Sequence, residues 1–440
     1  MESPPLWSIT PFLCLLLGIA LLPLVAGHWW ERNRNKAWFS AALALPFAAW
    51  MLLAHGAGGW RHLQHALLDY VSYISLLGSL FVIAGGIHIR GSLSGTPLAN
   101  SALLGVGAIL ANFIGTTGAS MVLIRPLLRA NAHRRRRVHL VLFFIFVVSN
   151  SGGLLTPLAD PPLFLGFLKG VPFDWTLRLW PHWLLVNGAV LVLFNLVDQH
   201  LLNREEAGDR RPLLEDLMRH QRLRVDGAWN LLFLAGVILV ILGKGYGWFR
   251  GGHSWPFGVQ EGLMLGLAVA GYFTTPGALR AANRFTFHPL VEVAVLFAGI
   301  FVTMTVPLQI LNERGAGLGL TQPWEIFWAT GALSSFLDNA PTYLAFGAAA
   351  AGRLGISSDS ERYLGQLLET GPQGAEWLAA ISCGAVMMGA LTYIGNGPNF
   401  MVKAIAEENG IRMPSFFGYM LYACAILVPV FVLVTLVFFR

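Results

Sequence analysis

Long apolar runs recur along the whole chain, separated by short polar or basic stretches. A helix needs about 20 apolar residues to span a bilayer, whereas a membrane β-barrel shows ~10-residue segments of alternating polarity. The pattern predicts ten crossing segments: 6–27, 37–55, 66–88, 138–168, 176–198, 228–243, 258–274, 288–311, 375–402 and 414–439. Two further stretches, 98–130 and 322–351, read as hairpins that return to the side from which they start. The expected fold class is an all-α polytopic membrane protein with about ten crossings plus two re-entrant hairpins.

Polar breaks interrupt four of these segments. Segment 138–168 is broken at Ser149, Asn150, Ser151, Gly152 and Gly153, and again at Asp160, Pro161 and Pro162. Segment 375–402 is broken at Thr392, Gly395, Asn396, Gly397, Pro398 and Asn399. The hairpins carry Asn112, Gly115, Thr116, Thr117 and Gly118 in the first, and Ser334, Ser335, Asp338, Asn339 and Pro341 in the second. Irregular backbone at membrane depth survives only where protein buries it or where it lines a cavity. Breaks at corresponding places in two halves point to a transporter's binding site.

The order of elements suggests an inverted repeat. Crossings 66–88 and 288–311 run in opposite directions, both have a Leu-Phe centre (Leu80, Phe81; Leu296, Phe297), and each leads into a hairpin, a broken helix and a closing span. The expected division is N-terminal scaffold spans at 1–65, a first repeat at 66–198, a cytoplasmic connection at 199–227, linking spans at 228–287 and a second repeat at 288–440.

Charge supports this layout. With the N-terminus outside, the inside loops (31–37, 89–97, 129–137, 199–227, 275–288 and 403–413) hold 19 Lys and Arg against 9 outside. Basic residues resist translocation, so the bias fits this orientation, although full crossings at both hairpins also return an acceptable count. Only 12% of the chain is charged and 55% is hydrophobic, against about 25% charged in soluble domains. The net charge of +6 and the run Arg134, Arg135, Arg136 and Arg137 fit a cytoplasmic loop facing anionic headgroups better than a nucleic-acid surface. Cys14, Cys383 and Cys424 lie in apolar stretches and match no metal spacing. The first apolar run lacks a preceding positive region and reads as a retained span.

The candidate chemistry lies in the breaks. Asp160 and Asp338 are the carboxylates nearest the predicted midplane, where a charge costs at least ~2.5–3.5 kcal/mol unless partnered. Both precede helix starts, so each is also a candidate N-cap. Asn150, Asn396 and Asn339 join them as cation- or proton-binding candidates, since amide oxygens and unwound carbonyls suit hard cations. Thr116, Thr117, Ser151, Ser335 and Asn399 are candidate substrate ligands, against the alternative that each hydroxyl bonds back to its own helix. The half-helix N-termini suit an anion instead. Arg125 reads as a counter-ion or as a side chain snorkelling to the cytoplasmic face. His55, His62 and His65 read as a cluster in an external loop without the spacing of a zinc site, and Asp69 and Glu292 as interfacial acids near helix starts. No protease, hydrolase or phosphate-loop signature is found.

At these breaks the chain resembles the ion transporter superfamily, which includes NhaD-type sodium/proton antiporters, arsenite permeases, the melanosomal P protein and citrate or dicarboxylate carriers. The likeness rests on Ser149 through Gly153 with Asp160, Pro161 and Pro162, on Phe336 through Asn339, on Ile394 through Asn399, and on Ala404 through Gly410. It implies a scaffold, a mobile transport domain, elevator-type alternating access and a homodimer in the inner cell membrane. It also implies that Asp160 and Asp338 handle a cation or proton. Relatives often carry Asn where Leu163 stands, which shifts the expected cation site towards Asp338 and Asn396. The leading expectation is sodium/proton antiport with no cofactor beyond the coupling ion. A sodium- or proton-coupled citrate or small-carboxylate carrier comes second and an arsenite-type permease third. A histidine-based membrane enzyme and a passive channel are the alternatives from other classes.

Overall fold

The computed structural model describes residues 4–91, 94–206, 224–251, 253 and 255–440. Almost every described element is a helix, and the protein is an all-α polytopic membrane protein. Among the described residues six helices are long and apolar enough to cross a membrane, or seven counting one bent pair. That pair is His288–Thr303 with Thr305–Arg314, bent by 47° inside the stretch expected to be a single crossing. Most of the connection at 199–227 lies outside the described residues. Its end, Arg224–Asp226, pairs antiparallel with His88–Arg90, the one small sheet among the described residues and absent from the expected fold.

Two expected crossings and the stretch between them fall within Asn33–Ala84, two helices that meet at a kink at Gly56 (φ 51°, ψ −124°). The second helix begins within the stretch read as an external loop. His62 and His65 therefore sit on a helix. They pair with the opposing loop: His62 lies 4.0 Å from Asp359 and His65 lies 3.3 Å from Glu361. Asp69, expected at the membrane interface, is part of this helix and pairs with Lys169. Glu292 pairs with the buried Lys36 at 2.6 Å.

The first hairpin is Pro97–Ala130. Its length alone would cross a bilayer, yet its two ends meet: Asn100 donates to Asn131 Oδ1 at 3.0 Å and Asn131 donates to Asn100 Oδ1 at 2.8 Å. The reversal occurs at Gly115 (φ 76°, ψ 155°), backbone space that residues with a Cβ essentially do not occupy. Helix Val138–Phe146 follows, then a π-helical turn Val147–Ser151 and an irregular stretch up to Asp160, before helix Pro161–Leu168. The second hairpin, Pro323–Phe336 and Asn339–Arg353, breaks at the extended Leu337. Helix Pro372–Met388 then gives way to a 3-10 turn and an extended stretch before Gly397–Glu408.

Packing separates inner from outer elements. Phe143, Phe144, Phe146, Leu344, Ile381 and Met387 are almost completely buried. The outer helices instead expose large apolar side chains such as Leu53, Phe273, Phe417 and Leu421. A water-soluble surface seldom leaves such patches uncovered, whereas hydrocarbon accepts them at no cost.

One member of the basic run departs from the expected solvated loop. The Arg134 side chain is fully buried and pairs with the equally buried Asp198 at 2.5 Å. Asp198 also accepts from Asn100 (2.9 Å) and meets His139 Nε2 (2.8 Å). This cluster fastens the base of the first hairpin to helix Trp180–Glu206.

Candidate functional site

Four half-helices begin at the breaks, and their N-termini converge. Asp160 precedes Pro161–Leu168, Asn396 precedes Gly397–Glu408, Asn339 opens Asn339–Arg353, and Thr116 follows the Gly115 reversal. Asp160 and Asn396 have matching extended backbone (φ −148°, ψ 145° and φ −151°, ψ 138°), each with proline in the first helical turn. A helix N-terminus carries unpaired N–H groups and roughly half a positive charge. Four together make a strongly anion-attracting point.

The Asp160 carboxylate occupies that point. Its Oδ1 accepts from Thr116 Oγ1 at 2.8 Å and from Asn396 Nδ2 at 3.3 Å, and its Oδ2 accepts from Asn339 Nδ2. Each donor comes from a different helix start. The Thr116 amide also donates to the Ala159 carbonyl at 2.8 Å, fixing the first hairpin tip against the unwound stretch. Asp160 makes no side-chain cap to its own helix, so the local capping reading does not apply.

An amide chain extends the hub. Asn396 Nδ2 lies 3.0 Å from the Ser149 carbonyl and 3.3 Å from Asn150 Oδ1. Asn150 donates to Asn399 Oδ1 at 2.7 Å, and Asn399 donates to the carbonyls of Gly389 and Thr392, both at 2.9 Å. The two breaks are thus sewn together across the halves of the chain. Buried polar groups of this kind are tolerated because nearly all find partners. An exception is Asn339 Oδ1, which is buried without one.

The remaining candidates divide. Asp338 accepts from the Ala340 amide at 3.0 Å, an N-cap, and Asn396 meets Asp160 rather than Asp338. The carboxylate that gathers the amides is therefore not the one expected from Leu163. Thr117 lines a small cavity beside Asp160. Ser151 turns away: its hydroxyl donates to the Phe146 carbonyl and lies 2.8 Å from Asn187 Oδ1. Ser335 bonds back to the Gly331 carbonyl at 2.8 Å and to the Met388 carbonyl at 3.0 Å. Helical serines satisfy themselves this way, which removes both hydroxyls from the hub. Arg125 is half-buried on the far leg of its hairpin, within electrostatic reach of Arg284 and Glu408.

The cavity beside Asp160 measures about 30 Å³ and lies between the unwound stretches and helix Asn33–Ala84. A second cavity, of about 730 Å³, is lined by His62, His65, Asp69, Lys169, Lys244 and Arg362 among others. Among the described residues no group of three or more His, Cys, Asp or Glu is arranged to hold a metal.

A protein-family model described as putative citrate transport (CitMHS_2) matches residues 1–439. The chain belongs to this family. Comparison with curated proteins gave no match. The match spans nearly the whole chain and, with the long apolar helices, makes the protein a multi-pass membrane transporter. It favours the carboxylate-carrier expectation over sodium/proton antiport.

Several members of the site are not among the expected ligands. Asn112 donates to the Gly152 carbonyl at 2.8 Å and accepts from the Leu155 amide at 2.8 Å, so it holds the unwound stretch in shape. Ser120 and Ser149 share a 2.8 Å bond. Tyr73 reaches the cavity from the long helix. Asn112 and Ser120 were visible as polar residues inside an apolar hairpin, whereas nothing local marks Tyr73.

Proposed function

We propose that this protein is an ion-coupled secondary transporter of citrate or a related small carboxylate in the cell membrane. The observation that carries the proposal is the Asp160 carboxylate, held by donors from three other helix starts. That carboxylate is itself an anion at the convergent N-termini. A second anion cannot share the place while Asp160 keeps its charge, because like charges at close range in low dielectric repel strongly. A proton or sodium ion that neutralises Asp160 removes the repulsion and releases Thr116, Asn339 and Asn396 to a substrate carboxylate. Coupling then follows from one competition. The family match supports citrate as the substrate class, and the paired breaks support alternating access.

The test is citrate uptake into proteoliposomes, driven in turn by a proton gradient and by a sodium gradient. Wild-type protein should accumulate citrate with one or both. Asp160→Asn should lose gradient-driven accumulation while retaining citrate/citrate counterflow, since its site is permanently neutral. Accumulation by Asp160→Asn at the wild-type level would sink the coupling role. Proton movement driven by sodium without any citrate flux would return the protein to the antiport reading.

A further inference from the structure

Tyr73 is the one polar side chain that helix Asn33–Ala84 contributes to the cavity beside Asp160; its neighbours there are Leu76, Leu77, Leu80 and Phe81. The ring is buried and clamped, stacked on Phe297 at 4.9 Å with an interplanar angle of 18° and flanked by Phe301 at 5.7 Å. Among the described residues nothing hydrogen-bonds its hydroxyl, which opens onto the cavity. A buried phenol normally finds a partner, so this one is left for whatever fills the space.

The facing wall identifies that occupant. Beside the apolar Ile114, Pro161 and Phe164 it includes Asp160, Thr116, Thr117 and the unwound residues 157–159. The carboxylate, hydroxyls and carbonyls of these last residues are oxygen ligands of the kind that hard cations select. The space open to a water-sized probe is about 30 Å³, room enough for a small cation or an ordered water.

We propose that Tyr73 is a ligand for the coupling cation, sodium or hydronium, supplied from the wall opposite Asp160. The inference rests on the coupling role proposed for Asp160 and adds a residue on a different element. Cation binding then bridges the hairpin and broken helix to the long helix, so occupancy of the cavity is registered at the contact between them.

The test compares wild-type protein with Tyr73→Phe, which keeps the ring stack and deletes one oxygen. Citrate uptake is measured against sodium at fixed pH, and against pH without sodium. Loss of one neutral ligand should raise the half-saturating concentration of the coupling ion about tenfold. Half-saturation for citrate, at saturating ion, should stay within twofold. A shift in the sodium arm identifies sodium, and a shift in the pH arm identifies hydronium. Thr117→Val should move the same arm, which covers a Tyr73 variant that folds poorly. Unchanged dependence on both ions in both variants overturns the assignment. Cation-induced thermal stabilisation of the purified protein without citrate provides a separate readout. If wild-type protein moves no citrate yet shows a cation shift that Tyr73→Phe weakens, the substrate reading fails and the ligand role stands.

Discussion

Gly395 offers the sharpest separation of shape from chemistry at the hub. A Cβ placed there would lie 2.6 Å from the Gly389 carbonyl oxygen, 2.8 Å from that of Ser334 and 2.9 Å from that of Ser335. All three are backbone atoms, so no side chain can swing aside. The position lies outside the positive-φ residues, so conformation does not forbid alanine there; only space does. Forcing one methyl into such a site costs about 1–3 kcal/mol and displaces backbone. The displaced residue is Asn396, whose amide touches Ser149, Asn150 and Asp160. Misplacement of a binding group by about 1 Å can cost on the order of 100-fold in rate. Gly395→Ala should therefore lower citrate counterflow at least about tenfold and reduce the apparent melting temperature. Gly397, two residues on, has nothing within 4 Å of its Cβ position, so Gly397→Ala should stay within about twofold of wild type. Counterflow in proteoliposomes, normalised to inserted protein, measures both. Wild-type flux in Gly395→Ala would refute the idea that close backbone approach at the second break positions Asn396.

Other perturbations reach different parts of the structure. Asp338→Asn keeps a cap as good as aspartate and should retain well over a tenth of gradient-driven uptake, unlike Asp160→Asn; the reverse order would move the coupling carboxylate to Asp338. Asp198→Leu leaves the buried Arg134 unpaired and should cost about 3–5 kcal/mol, read by denaturant titration in mixed micelles. Adding Arg134→Met should recover most of that loss, and a double variant no better than the single would show that the pair is not the source. Asp69 and Lys169 join the long helix to the end of Pro161–Leu168. If this contact must break in each cycle, Asp69→Asn should raise turnover about two- to fivefold, the scale of a partly exposed ion pair, with citrate half-saturation unchanged. Unaltered turnover would mean that the pair survives the cycle.

The sequence makes the fold class and the breaks legible because both are local. Apolar length marks helices, and Gly115 or the Pro161, Pro162 pair inside an apolar run marks a break. Which carboxylate becomes the hub is not local. Asp160 and Asp338 have similar neighbours, and what separates them is packing across 44, 179 and 236 residues of chain. His62 and His65 read as loop residues because polar residues interrupt the apolar pattern there, yet the helix resumes straight after the kink at Gly56 and carries both. Arg134 looks like its three basic neighbours until Asp198, 64 residues later, draws it inward. Tyr73 has the same apolar context as any core tyrosine and is distinguished only by the cavity it faces.

The spacing of the Asp160 partners has a consequence for biosynthesis. Thr116 is made before the carboxylate, but Asn339 and Asn396 follow it by 179 and 236 residues. At about 5–20 residues per second, the ribosome delivers them on the order of ten to fifty seconds later. Throughout that interval the inserted first half holds a carboxylate at membrane depth with Thr116 as its sole side-chain donor. The late-arriving half acts as an intramolecular assembly factor. A nascent chain that stops before residue 339 holds the carboxylate with only one of its three side-chain donors.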